Sequence, residues 1–489
     1  MIPVLLIVVP LVCGLAGFLL KNARRARGWA LLSTLVTLAV SLWSLTVPKS
    51  STLLHHSSEW LPDLGSRFAV GLDGLSTILS LLTAIVFPLI FIATWRVEYR
   101  KAWNFYALML LSQAGLMGVF LATDALLFYF FWELALIPVY FLCSMWGGER
   151  RIPVTFKFFV YTFAGSLLML VGLLWIYWHT PDHSFAMNSF YAMRTRIQGK
   201  DQMWLFWILF LAFAIKMPIW PLHTWQPDTY EQAPTATTMV LSALMVKMGL
   251  FGVMRWLAPV LPEGTWAWGD TVSAGCIIGM VYASLVAIRQ DDLKRLVAYS
   301  SIAHVGLMCL AIFSTTSIGM QGVMIQMFNH GINILGMWIV VELIERKTGT
   351  RKISQLGGLA QKAPGLAILL VVVALANIAL PLTNGFIGEF LLFTGVFTST
   401  ATQYNVVFTV VAAVTVILAA VYTLNMIKRV FFGEINALTA KVTDIRLNEK
   451  VALVVIVLLI VAVGVYPKPV LDLTKATADF ILAKMNYKL

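Results

Sequence analysis

The chain has 489 residues, 60% of them hydrophobic and only 12% charged, against roughly 25% charged in soluble domains. That composition excludes a soluble enzyme. The net charge of +12 does not point to nucleic acid either, because the cations sit in short loops between apolar stretches.

About fourteen apolar stretches approach the ~20 residues a bilayer crossing needs. They cover about 2–20, 28–47, 74–95, 104–123, 125–146, 155–178, 203–226, 234–257, 270–288, 296–313, 319–344, 365–398, 406–427 and 451–466. The first precedes Arg24 and lacks a small-residue cleavage pattern, so it reads as a retained span and not a secretory signal. With the N-terminus outside, alternate loops hold about 23 of the 35 cations inside and roughly nine outside. This is the positive-inside skew, and it predicts both termini on the outer side. The loop with Arg194, Arg196 and Lys200 runs against it. Cys13, Cys143, Cys276 and Cys309 all lie in apolar stretches without Cys-x-x-Cys spacing. They read as inert buried thiols, not ligands of zinc or iron–sulfur clusters.

Two stretches are not plain helices. The seventh carries Lys216 beside Pro218, with Pro221 and Pro227 close behind. The twelfth is too long and holds Pro381, Gly385 and Gly388 at membrane depth. Proline removes a backbone donor and clashes with the preceding turn, so both stretches are expected to be discontinuous. Non-helical backbone at that depth is tolerated only inside protein or against a water-filled cavity. Five-span units beginning at the fourth and ninth spans put one break at the fourth position of each. Because five is odd, the units have opposite topology, and paired interruptions in inverted repeats point to a transport site. The expected fold is an all-α polytopic membrane protein with inverted repeats over spans four to eight and nine to thirteen. The segments are a three-helix region (1–103), two half-channels (104–258 and 270–430), and a last part (431–489) with a loop, the final span and a short amphipathic surface helix.

Ionisable residues inside the spans are the candidate site: Glu133, Lys216, Lys247, His304, His330 and Glu389. Placing a charge in hydrocarbon costs from a few to over ten kcal/mol. Burial disfavours the charged form of any such group. A movable Glu133–Lys216 pair is therefore a switch in proton affinity, and histidines suit relay positions. The alternatives are a lysine that snorkels to the interface, a glutamate that only fixes packing, and histidines that serve as interhelical donors.

Several motifs resemble one family closely. They are Phe131-Trp132-Glu133-Leu134 with Pro138, Lys216-Met217-Pro218 with Pro221-Leu222-His223-Thr224-Trp225, Gln232-Ala233-Pro234-Thr235, Lys247, and Asp292 through His304. They resemble the antiporter-like subunits of respiratory complex I, whose relatives include multi-subunit sodium/proton antiporters and membrane-bound hydrogenases. Gly388-Glu389-Phe390 resembles the M-type branch, the counterpart of mitochondrial subunit 4. The resemblance implies Glu133 and Lys216 as a paired switch, Lys247 as central relay, His304 and His330 as the next links, and Glu389 as terminal site. It implies a proton-translocating role within NADH:quinone oxidoreductase, beside subunits L and N in a bacterial inner membrane. FMN, iron–sulfur clusters and quinone would then lie on partner subunits, with no cofactor or metal on this chain.

Overall fold

A computed structural model of the chain describes residues 1–486; the last three residues of the expected tail segment lie outside the described residues. Among the described residues, eleven helices are long and apolar enough to cross a membrane: Ala23–Thr46, Gly74–Ala93, Ala102–Leu121, Ala125–Trp146, Arg151–His179, Thr235–Leu257, Pro262–Ile288, Leu293–Phe313, Ser317–Thr348, Asn405–Phe431 and Leu447–Val465. The shorter apolar helix Ile2–Gly17 precedes them. Two broken pairs complete the set, Lys200–Lys216 with Trp225–Gln232 and Pro364–Asn377 with Asn384–Phe397. The chain is thus a multi-pass membrane protein, and these fourteen segments are numbered below as spans in chain order.

Burial separates the core spans from the rim. The eighth and tenth spans are buried along their whole apolar length, whereas the thirteenth is mostly exposed. In a bilayer a fully buried helix needs no apolar stripe of its own. The central spans can therefore carry polar residues that the rim spans cannot.

Both breaks are built from specific backbone accounts. At the first, the Ile219 amide reaches back to the Ala214 carbonyl at 3.0 Å. The Trp225 indole N–H donates to the Ile215 carbonyl at 2.9 Å. A helix end leaves four carbonyls without partners, and this indole satisfies one of them across the break. At the second, Ala379 and Leu382 have positive φ of 55° and 73°, a region bulky residues rarely adopt. Asn333 donates to the Ala376 carbonyl at 3.2 Å. Gly464 of the last span fits against this turn, where a Cβ would collide with the Leu382 carbonyl oxygen.

Three features were not expected. A hairpin, β1 (His55–Leu61) and β2 (Ser66–Gly71), pairs antiparallel between the second and third spans. It docks through Asp124, whose carboxylate accepts from Ser66 Oγ at 2.9 Å and the Arg67 amide at 3.0 Å. The architecture stays helical, with this hairpin as a loop structure on the face that carries Met1. The eighth span is wound as π-helix at Leu241–Met245 and again at Val253–Leu257. The tail helix Lys468–Met485 is amphipathic as expected, but it is a strap more than a surface float. Thr477 Oγ accepts from the Gly74 amide at 2.8 Å, Asp479 accepts from Ser317 Oγ at 2.6 Å, and the Met485 carbonyl accepts from the Trp266 indole at 3.1 Å. It ties the third, ninth and eleventh spans together on the terminal face.

The opposite face is held by ion pairs. Asp228 meets Lys157 at 2.9 Å and Arg295 at 3.1 Å; Glu231 meets Arg295 at 2.9 Å and Arg351 at 3.0 Å. Arg351 also pairs with Asp292, and Lys294 with Glu345 at 2.8 Å. Asp228–Arg295, Glu231–Arg295 and Glu231–Arg351 tie the half-helix Trp225–Gln232 to the start of the tenth span and the loop after the eleventh, through partly exposed residues.

Candidate functional site

Lys216 closes the first half of the broken seventh span and is 2% exposed. Its Nζ has no hydrogen-bond partner among the described residues. The ammonium sits 5.5 Å from the Trp132 ring centroid, a cation–π distance. Glu133, the next residue along the fifth span, has an unpartnered buried Oε1 and lies beside Ser166. It is near enough to act on Lys216 electrostatically. No ion pair of 4.0 Å or less joins the two. The sequence could not decide whether they touch; in this structure they do not.

Lys247 is fully buried between the two π-helical stretches. A π-turn displaces a carbonyl from the usual helical ladder. Lys247 Nζ uses one such group, donating to the Ser242 carbonyl at 2.8 Å. Close packing at this level depends on Gly249, since a Cβ there would lie 2.6 Å from the Phe213 carbonyl oxygen, at the end of the broken helix. The same Nζ lies 2.8 Å from His330 Nδ1. With the lysine charged, Nδ1 accepts, which leaves the imidazole proton on Nε2, 3.4 Å from Ser301 Oγ.

The two histidine rings stand 5.6 Å apart between centroids. His304 Nδ1 then meets Glu389 Oε1 at 3.1 Å, and Glu389 is 5% exposed. Four expected residues thus form one series in the order Lys247, His330, His304, Glu389. His330 precedes His304, although it comes later in the chain. Lys216 and Glu133 stand apart from this series.

Sequence reasoning missed the polar residues that hold the series. Asn329 donates to the Asn384 carbonyl at 2.7 Å, Asn377 to Ser300 Oγ at 3.3 Å, and the Tyr422 hydroxyl to the same Ser300 at 2.9 Å. They come from the tenth to thirteenth spans and brace the second break. The signal was present as asparagines inside apolar runs, where an amide needs a partner. Also missed was Arg255, 3% exposed, paired with Asp73 at 2.6 Å near the terminal face. Among the described residues no group of three or more His, Cys, Asp or Glu could hold a metal ion.

Two broken spans and a row of ionisable groups at depth define a subunit built to move ions through a membrane. Residues 122–416 match the family described as NADH:quinone oxidoreductase/Mrp antiporter, transmembrane, and the chain belongs to that family. It is 35% identical to the F(420)H(2) dehydrogenase subunit M of Methanosarcina mazei, over 99% of each chain. It is 37% identical to the NADH-quinone oxidoreductase subunit M of Rhodobacter capsulatus, over 92% of this chain and 89% of that one. A chain of respiratory complex I from Thermus thermophilus superposes with a TM-score of 0.90 at 30% identity, covering 99% and 100% of the two.

Proposed function

We propose that this chain is a proton-conducting membrane subunit of a redox-driven complex of the NADH:quinone oxidoreductase type. The observation that carries this is the buried series Lys247–His330–His304–Glu389, with contacts of 2.8 Å and 3.1 Å at its ends. Each member can both take and give a proton. Protons are taken up on the cation-rich face through the first repeat (104–258), pass along the central axis, and leave through the second (270–430). Energy arrives from neighbouring subunits as a shift in the Glu133–Lys216 equilibrium. The absence of contact between these two is compatible with the open state of such a switch. Moving one charge against 100 mV takes about 2.3 kcal/mol, which is within reach of making and breaking a buried ion pair.

In this reading the chain sits in a bacterial inner membrane with both termini outside, in company with subunits of the L and N types. Flavin, iron–sulfur clusters and quinone belong to other subunits. The relatives include one named for F(420)H(2) and others named for NADH, so the electron donor is a property of the partners. Lys216→Ala is the test. The complex should assemble and reduce quinone while pumping in reconstituted vesicles is lost or strongly reduced; normal pumping would sink the assignment. A secondary sodium/proton antiporter is the competing reading, and purification with antiporter subunits instead of redox subunits would favour it.

A further inference from the structure

Two of the four cysteines depart from the expectation that all are inert. Cys276 and Cys309 lie on the ninth and tenth spans and are 1% and 0% exposed. The two spans approach closely at Gly306, where a Cβ would stand 2.7 Å from Met280 Cγ and 3.5 Å from the Cys276 carbonyl oxygen. Residues three and four apart share a helix face. Cys309 therefore lies one turn beyond Gly306 on the face turned to the ninth span, and Met280 one turn beyond Cys276 on the face turned to the tenth. The Cys276 and Cys309 thiols are hydrogen-bonding neighbours across this contact, and both are free. A third sulfur is close by, since Met280 Sδ lies 3.7 Å from the same Cβ position on Gly306. Cys143, on the fifth span, is as deeply buried but has no thiol beside it.

Sulfur ligands select soft ions. Zinc takes four ligands in a closed site and finds too few donors here, whereas an ion satisfied by two thiolates finds both. The setting adds a charge rule, because net charge is disfavoured at membrane depth. A monovalent ion between two thiolates leaves a negative charge behind. A divalent ion between two thiolates is neutral.

From this juxtaposition we infer that Cys276 and Cys309 form a dithiol site for a soft divalent ion that accepts two-coordinate binding, of which mercuric ion is the type. Mercuric chloride arrives as a neutral molecule. Two Hg–Cl bonds break and two Hg–S bonds form, and the two thiol protons leave with the two chlorides. No atom changes oxidation state. The Met280 thioether is a weaker soft donor at the side of the bridge. Once formed, the bridge pins the ninth span to the tenth, the helix that carries His304. The site stands independently of the proton-conducting reading, so either can fail without the other.

The test uses the whole complex in native membrane vesicles. They are treated with mercuric chloride, then washed with excess mercaptoethanol, a membrane-permeant monothiol, and this chain is weighed by intact mass spectrometry. Two thiols held side by side outcompete separate monothiols through their effective concentration. The expected result is retained mercury in place of two protons, mapped to the peptides of Cys276 and Cys309. Cys276→Ser and Cys309→Ser should each lower retention roughly a hundredfold, in the range that linking two binding groups provides. Cys143→Ser should leave it unchanged. Complete loss of mercury from the native chain in the wash would overturn the proposal, and that result needs no variant to assemble. Retention in Cys309→Ser equal to native would also overturn it, because a single thiol would then suffice. So would a Cys276–Cys309 disulfide found before mercury is added.

Discussion

Lys247 Nζ lies 2.8 Å from His330 Nδ1, so the eighth and eleventh spans meet through two buried titratable side chains. Neither residue has a carboxylate within ion-pair distance among the described residues. A positive charge here is held by the Ser242 carbonyl and an imidazole lone pair, which is weaker compensation than an anion supplies. The site is therefore suited to transient occupation.

Replacing His330 by alanine removes the acceptor and interrupts the series before His304. Pumping should fall on the order of a hundredfold or more, as for other lost acid–base groups, while the complex still assembles and reduces quinone. Acidification of vesicles checks this, and an unchanged rate would show that His330 only packs. His330→Gln should assemble as well as alanine but not restore pumping, since an amide does not exchange its proton in turnover.

Trp225→Phe keeps the ring and deletes the N–H that reaches the Ile215 carbonyl across the first break. The carbonyl is left buried beside Lys216. A lost buried hydrogen bond of this kind costs about 1–3 kcal/mol. Thermal unfolding of the purified complex in detergent should show a lower midpoint for this chain; no shift would mean that the break is held by other contacts.

Gly464→Ala drives a methyl into the Leu382 carbonyl at the second break. Overpacking typically costs about 1–3 kcal/mol, here at a turn already strained by its positive φ. Reduced accumulation of assembled complex is the expected outcome, and Gly464→Val should be worse than Gly464→Ala. Equal accumulation of all three proteins would contradict the fit.

Asp73→Asn strips the partner from Arg255, which is almost wholly buried. Breaking a buried pair by removing one member costs about 3–5 kcal/mol; because a third of the Asp73 side chain is exposed, about 2–3 kcal/mol is the expectation here. Adding Arg255→Met should recover part of the loss. A double variant less stable than Asp73→Asn would refute the pairing as the cause.

The architecture was legible from apolar run length because a bilayer makes that signal strong. The breaks at Pro218 and Pro381 were legible because proline acts locally. The order of the site was not. Nothing along the chain says that His330, twenty-six positions after His304, is the one beside Lys247; that depends on how the tenth and eleventh spans face the eighth. The π-turns around Lys247 contain no proline to announce them, and the glycines between them, Gly249 and Gly252, do not specify such turns by themselves. Glu133 and Lys216 were expected as partners from their isolation in apolar runs, which identifies them as expensive charges without fixing their separation. The hairpin at His55–Gly71 was hidden in a loop too short to stand out beside fourteen spans.

The two faces of the protein are fastened by different means, and this has a mechanical consequence. The strap Lys468–Met485 stitches three spans with hydrogen bonds from a continuous helix, so parting them means undocking the helix as a unit. Across the molecule, Arg295 and Arg351 each hold two or more carboxylates at a partly wet surface, where single pairs are worth little and partners exchange readily. A load applied from a neighbouring subunit will open the latch before it moves the hinge. The spans joined through Arg295 and Arg351 then part first, while the third, ninth and eleventh stay together on the strapped face.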